Sequence, residues 1–130
     1  MSDEVLFLSV EDVLTIHDDT IAQEGGLPGV RDVGLLESAV LMPQHQFGGV
    51  YLHEGLAAMA AAYLFHIASN HAFLDGNKRA AAMSALVFLD VYGIRTLPPP
   101  ADLEAITLRV AAGEMDKEAL TEWMRQQIED

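Results

Sequence analysis

Cysteine is absent from the 130 residues of this chain, which excludes disulfides, thiolate metal sites and cysteine nucleophiles. The longest apolar run, residues 56–68, has His66 inside it and is too short to span a bilayer. Residues 1–4 are acidic at two positions, the reverse of the basic start of a secretory signal. We therefore expect a cytoplasmic protein with no membrane partner, which agrees with the absence of cysteine in a reducing compartment.

Basic residues are scarce as well. Seven Lys and Arg side chains stand against twenty Asp and Glu, for a net charge of −13. Direct binding to nucleic acid is not expected, because a protein binds that polymer by neutralising its phosphates. Two of the seven basic residues, Lys78 and Arg79, are adjacent. In so acidic a chain this pair indicates either a solvated helix surface or a docking point for an anion.

Hydrophobic spacing, capping residues and helix breakers predict an all-α bundle, one compact domain over residues 1–130. Ser9 and Asp32 are expected as N-caps, and Gly93 as a left-handed residue at a helix end. We expect about six helices, over residues 10–23, 33–42, 53–69, 77–92, 101–112 and 116–127.

The non-helical parts are short. Residues 98–100 are three prolines, which predict an extended link. Residues 43–51 contain Gly48 and Gly49 and are expected to form a mobile loop or a short extended flap. Strand candidates are limited to the stub Val5–Leu8 and the stretch around Gly49–Tyr51. We expect no strand pairing in the loop that precedes the fourth helix.

That loop, His71–Arg79, carries the residues with chemical potential. Gly76 allows close approach of a ligand where a helix is about to start. The first N–H groups of a helix have no intrahelical acceptors, and the helix dipole adds positive potential, so an anion site is expected at Gly76 and Asn77. Lys78 and Arg79 add full charges to it.

Three further residues complete the loop. Asp75 would repel an anion unless a bridging Mg²⁺ lies between them. His71 can take a proton from an attacking hydroxyl, because imidazole titrates near neutral pH. Phe73 is expected to plug into the core and fix the shape of the loop. Each residue alone is more often ordinary, as a surface histidine, an N-cap or a solvated cation. Their conjunction favours a site for phosphate chemistry.

The loop resembles the signature of the Fic/Doc superfamily, His-x-Phe-x-Asp/Glu-Gly-Asn-Gly/Lys-Arg. All defined positions are met, at His71, Phe73, Asp75, Gly76, Asn77, Lys78 and Arg79. Ala72 stands where Fic enzymes usually have Pro. Lys78 is the Doc-like choice, where AMP-transferring Fic proteins have a second Gly. Residues 26–32, 35–39 and 84–89 with Gly93 are also similar to death-on-curing toxins, so the likeness covers most of the chain.

The resemblance implies a role for each position. His71 would be the general base that deprotonates a Ser or Thr hydroxyl of the target, and Asp75 would hold Mg²⁺ on the phosphates of ATP. Gly76, Asn77 and Lys78 would form the anion hole, and Arg79 would clamp phosphate.

The resemblance also implies an activity and two partners. A Doc-like toxin transfers the γ-phosphate of ATP to elongation factor Tu, arrests translation, and is restrained by an antitoxin whose C-terminal segment folds onto it. An AMP-transferring Fic enzyme is the alternative of the same class, and a non-catalytic binding module is the alternative of another class. Thr20, Glu24 and Gly25 match a degenerate self-inhibitory pattern of some Fic proteins. For residues 43–51, a role in aligning the target peptide and an ordinary flexible loop are both open.

Overall fold

The computed structural model of the chain describes residues 5–128. Residues 1–4, from which we expect no secretory signal, lie outside that range. The all-α prediction is confirmed, because the described part contains six α-helices and a very small sheet. The helices are α1 Val10–Glu24, α2 Val33–Leu41, α3 Gly55–Asn70, α4 Asn77–Val91, α5 Pro100–Ala111 and α6 Lys117–Gln127.

Helix α3 is the centre of the bundle and contacts α2, α4, α5 and α6. Its alanines are small enough for neighbouring helices to approach closely, and Ala60, Ala61 and Ala62 are completely buried. Tyr63 is buried beside Phe88, with ring centroids 5.2 Å apart. The Tyr63 hydroxyl accepts a hydrogen bond from the Leu8 N–H at 2.8 Å, which docks the segment before α1. Burial raises the pKa of Tyr63 to about 12.

Most helix ends follow from local capping. Ser9 accepts from the Asp12 N–H in a complete capping box, and Asp32 accepts from the Leu35 N–H. Gly93 has φ +70° just after α4, as expected of a left-handed helix end. Asp116 caps α6 from outside, so that helix begins one residue later than predicted.

Two further helix starts also differ from the prediction. Helix α3 begins at Gly55 rather than at residue 53, and Glu54 is its N-cap residue. Helix α5 begins at Pro100, so the three prolines do not all belong to an extended link. A proline is well tolerated at the first helical position, because the N–H that it lacks would have no partner there.

The region after α2 forms a hairpin, so of the two alternatives predicted for residues 43–51 the short extended flap is the one found. Met42–Gln44 is a 3₁₀ turn, and β1 (Gln46–Phe47) then pairs antiparallel with β2 (Val50–Tyr51). Phe47 at the tip is 81 % exposed. The expected stub at Val5–Leu8 is not a strand. Within the described range, no helix is both long enough and apolar enough to cross a membrane.

A half-buried histidine lies between α3 and α6. The Nε2 of His66 lies 3.1 Å from the Nζ of Lys117. Burial, and then the positive charge of Lys117, lower the pKa of His66 to about 4. The folded protein therefore holds His66 neutral at pH values where the unfolded chain protonates it.

This pKa shift predicts a pH-dependent stability. The unfolded chain binds more protons than the folded one between the ordinary histidine pKa, about 6.5, and about 4, so stability falls as pH drops through that window. We expect His66→Gln, which keeps an acceptor for Lys117, to flatten the fall in the free energy of unfolding. Urea denaturation of both proteins at several pH values measures it. Equal slopes for the two proteins would contradict the assignment to His66.

Candidate active site

The loop between α3 and α4 starts with an unusual backbone conformation. His71 is the C-cap of α3 and has φ +51°, the only non-glycine residue with a positive φ in the described range. Its side chain is exposed, whereas Phe73, two residues later, is 1 % exposed. The left-handed turn thus places His71 on the surface and Phe73 in the core. Phe73 anchors the loop, and the side chain of His71 stays exposed.

Arg31 holds this turn from outside. Its Nε and Nη2 donate to the carbonyl of His71 at 2.8 and 2.6 Å. The next carbonyl, of Ala72, accepts the backbone N–H groups of Arg31 and Asp32 at 2.7 and 3.0 Å. The last carbonyls of a helix have no intrahelical donors and carry negative potential, so a guanidinium is well suited to bind there.

The loop also pairs with the segment before α2, which corrects the expectation of a loop without strand pairing. Val30 and Phe73 form an antiparallel bridge, and the Leu74 N–H donates to the carbonyl of Gly29 at 3.1 Å. The pairing is explained by the burial of Phe73, because backbone polar groups carried into the interior must find partners.

Asn77 closes the loop on itself. Its side-chain oxygen accepts from the Phe73 N–H at 3.0 Å, and its side-chain nitrogen donates to the Phe73 carbonyl at 3.1 Å. The side chain of Asn77 is therefore occupied in holding the loop. What Asn77 presents to a ligand at the start of α4 is its backbone N–H.

The carboxylate of Asp75 is fixed by two backbone donors. The Leu27 N–H reaches Oδ2 at 3.1 Å, and the Gly76 N–H reaches Oδ1 at 2.8 Å. These hydrogen bonds, the one from Leu27 first, hold the pKa of Asp75 below its ordinary value, and the charge of Arg79 contributes less. Asp75 is consequently an anion at neutral pH.

Gly26 makes room for this carboxylate. A Cβ on Gly26 would lie 2.6 Å from Oδ2 of Asp75, closer than atoms can approach, and Gly26 has φ +119°. Steric and conformational demands therefore both require glycine at this position.

His17 on α1 lies underneath the loop. It is 1 % exposed, its ring stacks on Phe73 at a centroid distance of 3.7 Å, and its Nε2 lies 2.7 Å from the carbonyl oxygen of Asp75. The loop is thus held by the segment before α2 on one side and by α1 below.

The backbone N–H groups at the start of α4 are available to an anion. In the described structure the N–H groups of Asn77, Lys78 and Arg79 have no acceptor, as expected for the first residues of a helix. They lie around a cavity of about 220 Å³, which is also lined by His71 and Asp75. The structure thus brings the predicted site residues together, with Phe73 beneath them.

Arg79 reaches away from the loop in this structure. Its Nη1 lies 3.4 Å from Oε2 of Glu24, and its Nη2 donates to the carbonyl of Gly25 at 3.3 Å. The pattern at Thr20, Glu24 and Gly25 is therefore in contact with the site. The resemblance to Doc-like toxins favours a separate antitoxin over self-inhibition by this pattern.

A larger groove of about 430 Å³ adjoins the cavity and shares Lys78 and Arg79 with it. Its floor is mostly apolar and is contributed by α4 and α5, with Met83, Leu86 and Leu108 among the lining residues. Glu24 and Glu104 border it. An occupant of this groove would touch the two basic residues of the small cavity.

The small cavity offers one protein ligand for Mg²⁺. Asp75 is the one carboxylate that lines the small cavity, and no group of three or more His, Asp or Glu within residues 5–128 is arranged to hold a metal. Magnesium is commonly bound through one or two carboxylates, with phosphate oxygens and waters as the other ligands. The site therefore fits a magnesium ion that arrives with a nucleotide.

Three residues that shape the site were not identified from the sequence: His17, Gly26 and Arg31. Gly26 and Arg31 lie in the segment 26–32, which carries part of the resemblance to death-on-curing toxins, but no contact was predicted for either residue. No role was predicted for His17. The sequence did contain one signal for His17, because this polar ring occupies a position on the apolar face of an amphipathic helix.

Comparison with known proteins finds a matching family and two similar proteins. The family model described as Fic/DOC family matches residues 7–89. "Protein kinase doc" of Escherichia phage P1 is 33% identical over 118 residues, which cover 91% of this chain and 92% of that protein. "Toxin Doc" of Mycolicibacterium smegmatis is 46% identical over 89 residues, which cover 68% of this chain and 66% of that protein.

The contact between Gly26 and Asp75 yields a prediction on stability. We expect Gly26→Ala to lower the free energy of unfolding by about 1–3 kcal/mol through backbone strain, and by a further amount because the Asp75 carboxylate must leave its hydrogen bonds to make room. Gly25→Ala is the matched control, since Gly25 also has a positive φ but has open space around its Cβ position. Urea denaturation compares the two variants. Equal losses would show that Asp75 does not occupy the place described.

Proposed function

This chain belongs to the Fic/DOC family, and from that premise we propose that it is a Doc-like toxin that transfers the γ-phosphate of ATP to a protein hydroxyl. The observation that carries the proposal is the cavity of about 220 Å³ at the start of α4. An exposed imidazole, an ionised carboxylate and acceptor-free backbone N–H groups meet there. Phosphoryl transfer requires mainly positioning and charge neutralisation, which this set supplies.

His71 is the general base of the proposed reaction. The hydroxyl proton of a target Ser or Thr passes to its imidazole as the oxygen attacks the γ-phosphorus. The new O–P bond forms while the bond from the γ-phosphorus to the bridging oxygen of the β-phosphate breaks, and ADP leaves. The hydrogen bonds from Arg31 to the His71 carbonyl keep the imidazole exposed at the mouth of the cavity.

The phosphates bind at the start of α4. The backbone N–H groups of Asn77, Lys78 and Arg79 donate to phosphate oxygens, and the helix dipole favours the negative charge. For the Arg79 guanidinium to bind phosphate as well, it must first release the carboxylate of Glu24. Asp75 holds Mg²⁺, which, when bound, neutralises charge on the phosphates.

Lys78 favours phosphate transfer over AMP transfer. Compared with glycine, a lysine fills space and adds charge at the anion hole, so the triphosphate binds turned around and presents its γ-phosphate to the hydroxyl. AMP transfer, with the α-phosphate at the same place, is the alternative. One relative bears the name of a protein kinase, which supports the first orientation.

The proposed target is elongation factor Tu, and its modification would arrest translation. This assignment rests on the resemblance to Doc-like toxins rather than on a described contact. A non-catalytic module that only binds a partner or nucleotide is the alternative of another class. It would have no need to retain His71 together with Asp75, Asn77 and Arg79.

Replacement of the proposed base separates the enzyme from the binding module. We expect His71→Ala to reduce label transfer from γ-labelled ATP to protein in a translation extract by about a hundredfold or more, the usual contribution of a general base. The same variant should no longer arrest growth when it is expressed. His66→Gln, a histidine variant outside the site, should behave as wild type. Growth arrest by His71→Ala at wild-type potency would support the binding module instead.

An antitoxin segment is the proposed occupant of the groove of about 430 Å³. Met83 and Leu108 are each more than two fifths exposed on its surface, which suits the apolar face of a helix. A segment seated there would contact Lys78 and Arg79 and so exclude the nucleotide. Glu24 and Glu104 at the rim, and the net charge of −13, favour a segment that is partly basic.

Two measurements test this occupant. Leu108→Asp is expected to weaken antitoxin binding about tenfold, by placing a charge in the apolar contact. Val91→Asp is the control, because Val91 is also about half exposed on a helix but lies outside the groove. Raising the salt concentration should weaken binding to the wild type. Equal affinities at low and high salt, or equal losses for the two variants, would contradict the proposal.

A further inference from the structure

His17 has no part in the reaction described above, yet its polar ring is almost completely buried. It lies on α1, 58 residues before the acidic residue of the loop, and is 1 % exposed. Buried polar groups are nearly always hydrogen-bonded, and an unpartnered one is destabilising. The partner of His17 is the backbone of the loop itself, so its burial serves the site rather than the packing of α1 alone.

The ring contacts the loop at two residues and lies close to a third. One face stacks on Phe73, with centroids 3.7 Å apart and planes within 4° of parallel. Its Nε2 lies 2.7 Å from the carbonyl oxygen of Asp75. A Cβ at Gly76 would lie 3.5 Å from the same nitrogen. The ring therefore binds the peptide unit that joins Asp75 to Gly76, the N-cap residue of α4, and leaves little space beside Gly76.

The chemistry of the contact fixes the direction of the hydrogen bond. A carbonyl oxygen only accepts, so Nε2 of His17 carries the proton and donates it. The Asp75 carbonyl and the Gly76 N–H belong to one planar peptide unit, so orienting the first also orients the second. That N–H in turn donates to Oδ1 of Asp75 at 2.8 Å. One bond from α1 thus orients the peptide unit whose N–H holds the Asp75 carboxylate, directly before α4 begins.

We propose that His17 is a positioning residue that sets the Asp75–Gly76 peptide, and through it the metal-binding carboxylate and the anion site. Its effect on transfer rests on the proposed function, whereas its effect on the loop does not. In the absence of the Nε2 donor, the Asp75 carbonyl lacks its partner and the peptide is free to rotate.

Two variants separate the hydrogen bond from the ring stack. His17→Phe keeps a flat ring on Phe73 but removes the donor. His17→Gln loses the ring but presents a side-chain N–H at a similar reach. We expect His17→Phe to lower kcat for γ-phosphate transfer by up to about a hundredfold, the effect of a small misplacement of reacting groups. It should also raise the Mg²⁺ concentration for half-maximal rate, and His17→Gln should restore part of both.

A second readout does not depend on the reaction. Amide hydrogen exchange of Gly76 in the free protein should be accelerated at least tenfold in His17→Phe and less in His17→Gln. Val13→Ala is the matched control, because Val13 is completely buried on the same helix. Val13→Ala should lower the melting temperature. The Mg²⁺ concentration for half-maximal rate should stay unchanged, and so should the exchange rate of Gly76 relative to global unfolding.

The outcomes are distinguishable. Wild-type exchange at Gly76 in His17→Phe would overturn the positioning role, whether or not the protein transfers phosphate. A failure of His17→Gln to restore anything, with effects that merely follow the melting temperature as in Val13→Ala, would overturn it too. A wild-type protein that transfers no phosphate would refute the proposed function, while the exchange measurement would still decide the role of His17.

Discussion

The site depends on hydrogen bonds that reach the loop His71–Arg79 from other parts of the chain. The loop makes few bonds of its own, chiefly those of Asn77 to Phe73 and of Gly76 to Asp75. Arg31 binds the carbonyl of His71, 40 residues later in the sequence, and His17 binds the carbonyl of Asp75, 58 residues later. A left-handed residue other than glycine costs about 1–2 kcal/mol, so His71 keeps this conformation only because its surroundings enforce it.

The bundle explains how such a loop is kept in place. Helix α3 is surrounded by other helices, and its alanines allow α4 to approach closely. The end of α3 presents free carbonyls, which Arg31 binds, and the start of α4 presents free N–H groups, which remain for an anion. The loop therefore joins a helix end that requires hydrogen-bond donors to a helix start that requires acceptors. The acidic composition of the rest of the chain leaves Lys78 and Arg79 as the positive charges at that place.

Local signals in the sequence predicted a large part of this structure. Ser9, Asp32 and Gly93 end helices through contacts within a few residues, so capping rules identify them. The Fic/DOC family follows from a motif that lies within nine residues. The start of α3 was predicted two residues early, because an apolar pattern does not show that Glu54 is the N-cap residue. The contacts of His17, Gly26 and Arg31 join distant residues, and one sequence without its fold contains no spacing that reveals them. The roles of the individual site residues stay predictions.

The loop is proposed to transfer the terminal phosphate of ATP. This is tested by incubating the protein with a translation extract and ATP labelled at either the α or the γ phosphate. We expect label from the γ position alone to appear on a protein of the size of elongation factor Tu. Label that arrives only from the α position would contradict phosphate transfer and identify the protein as an AMP-transferase, with Lys78 misinterpreted.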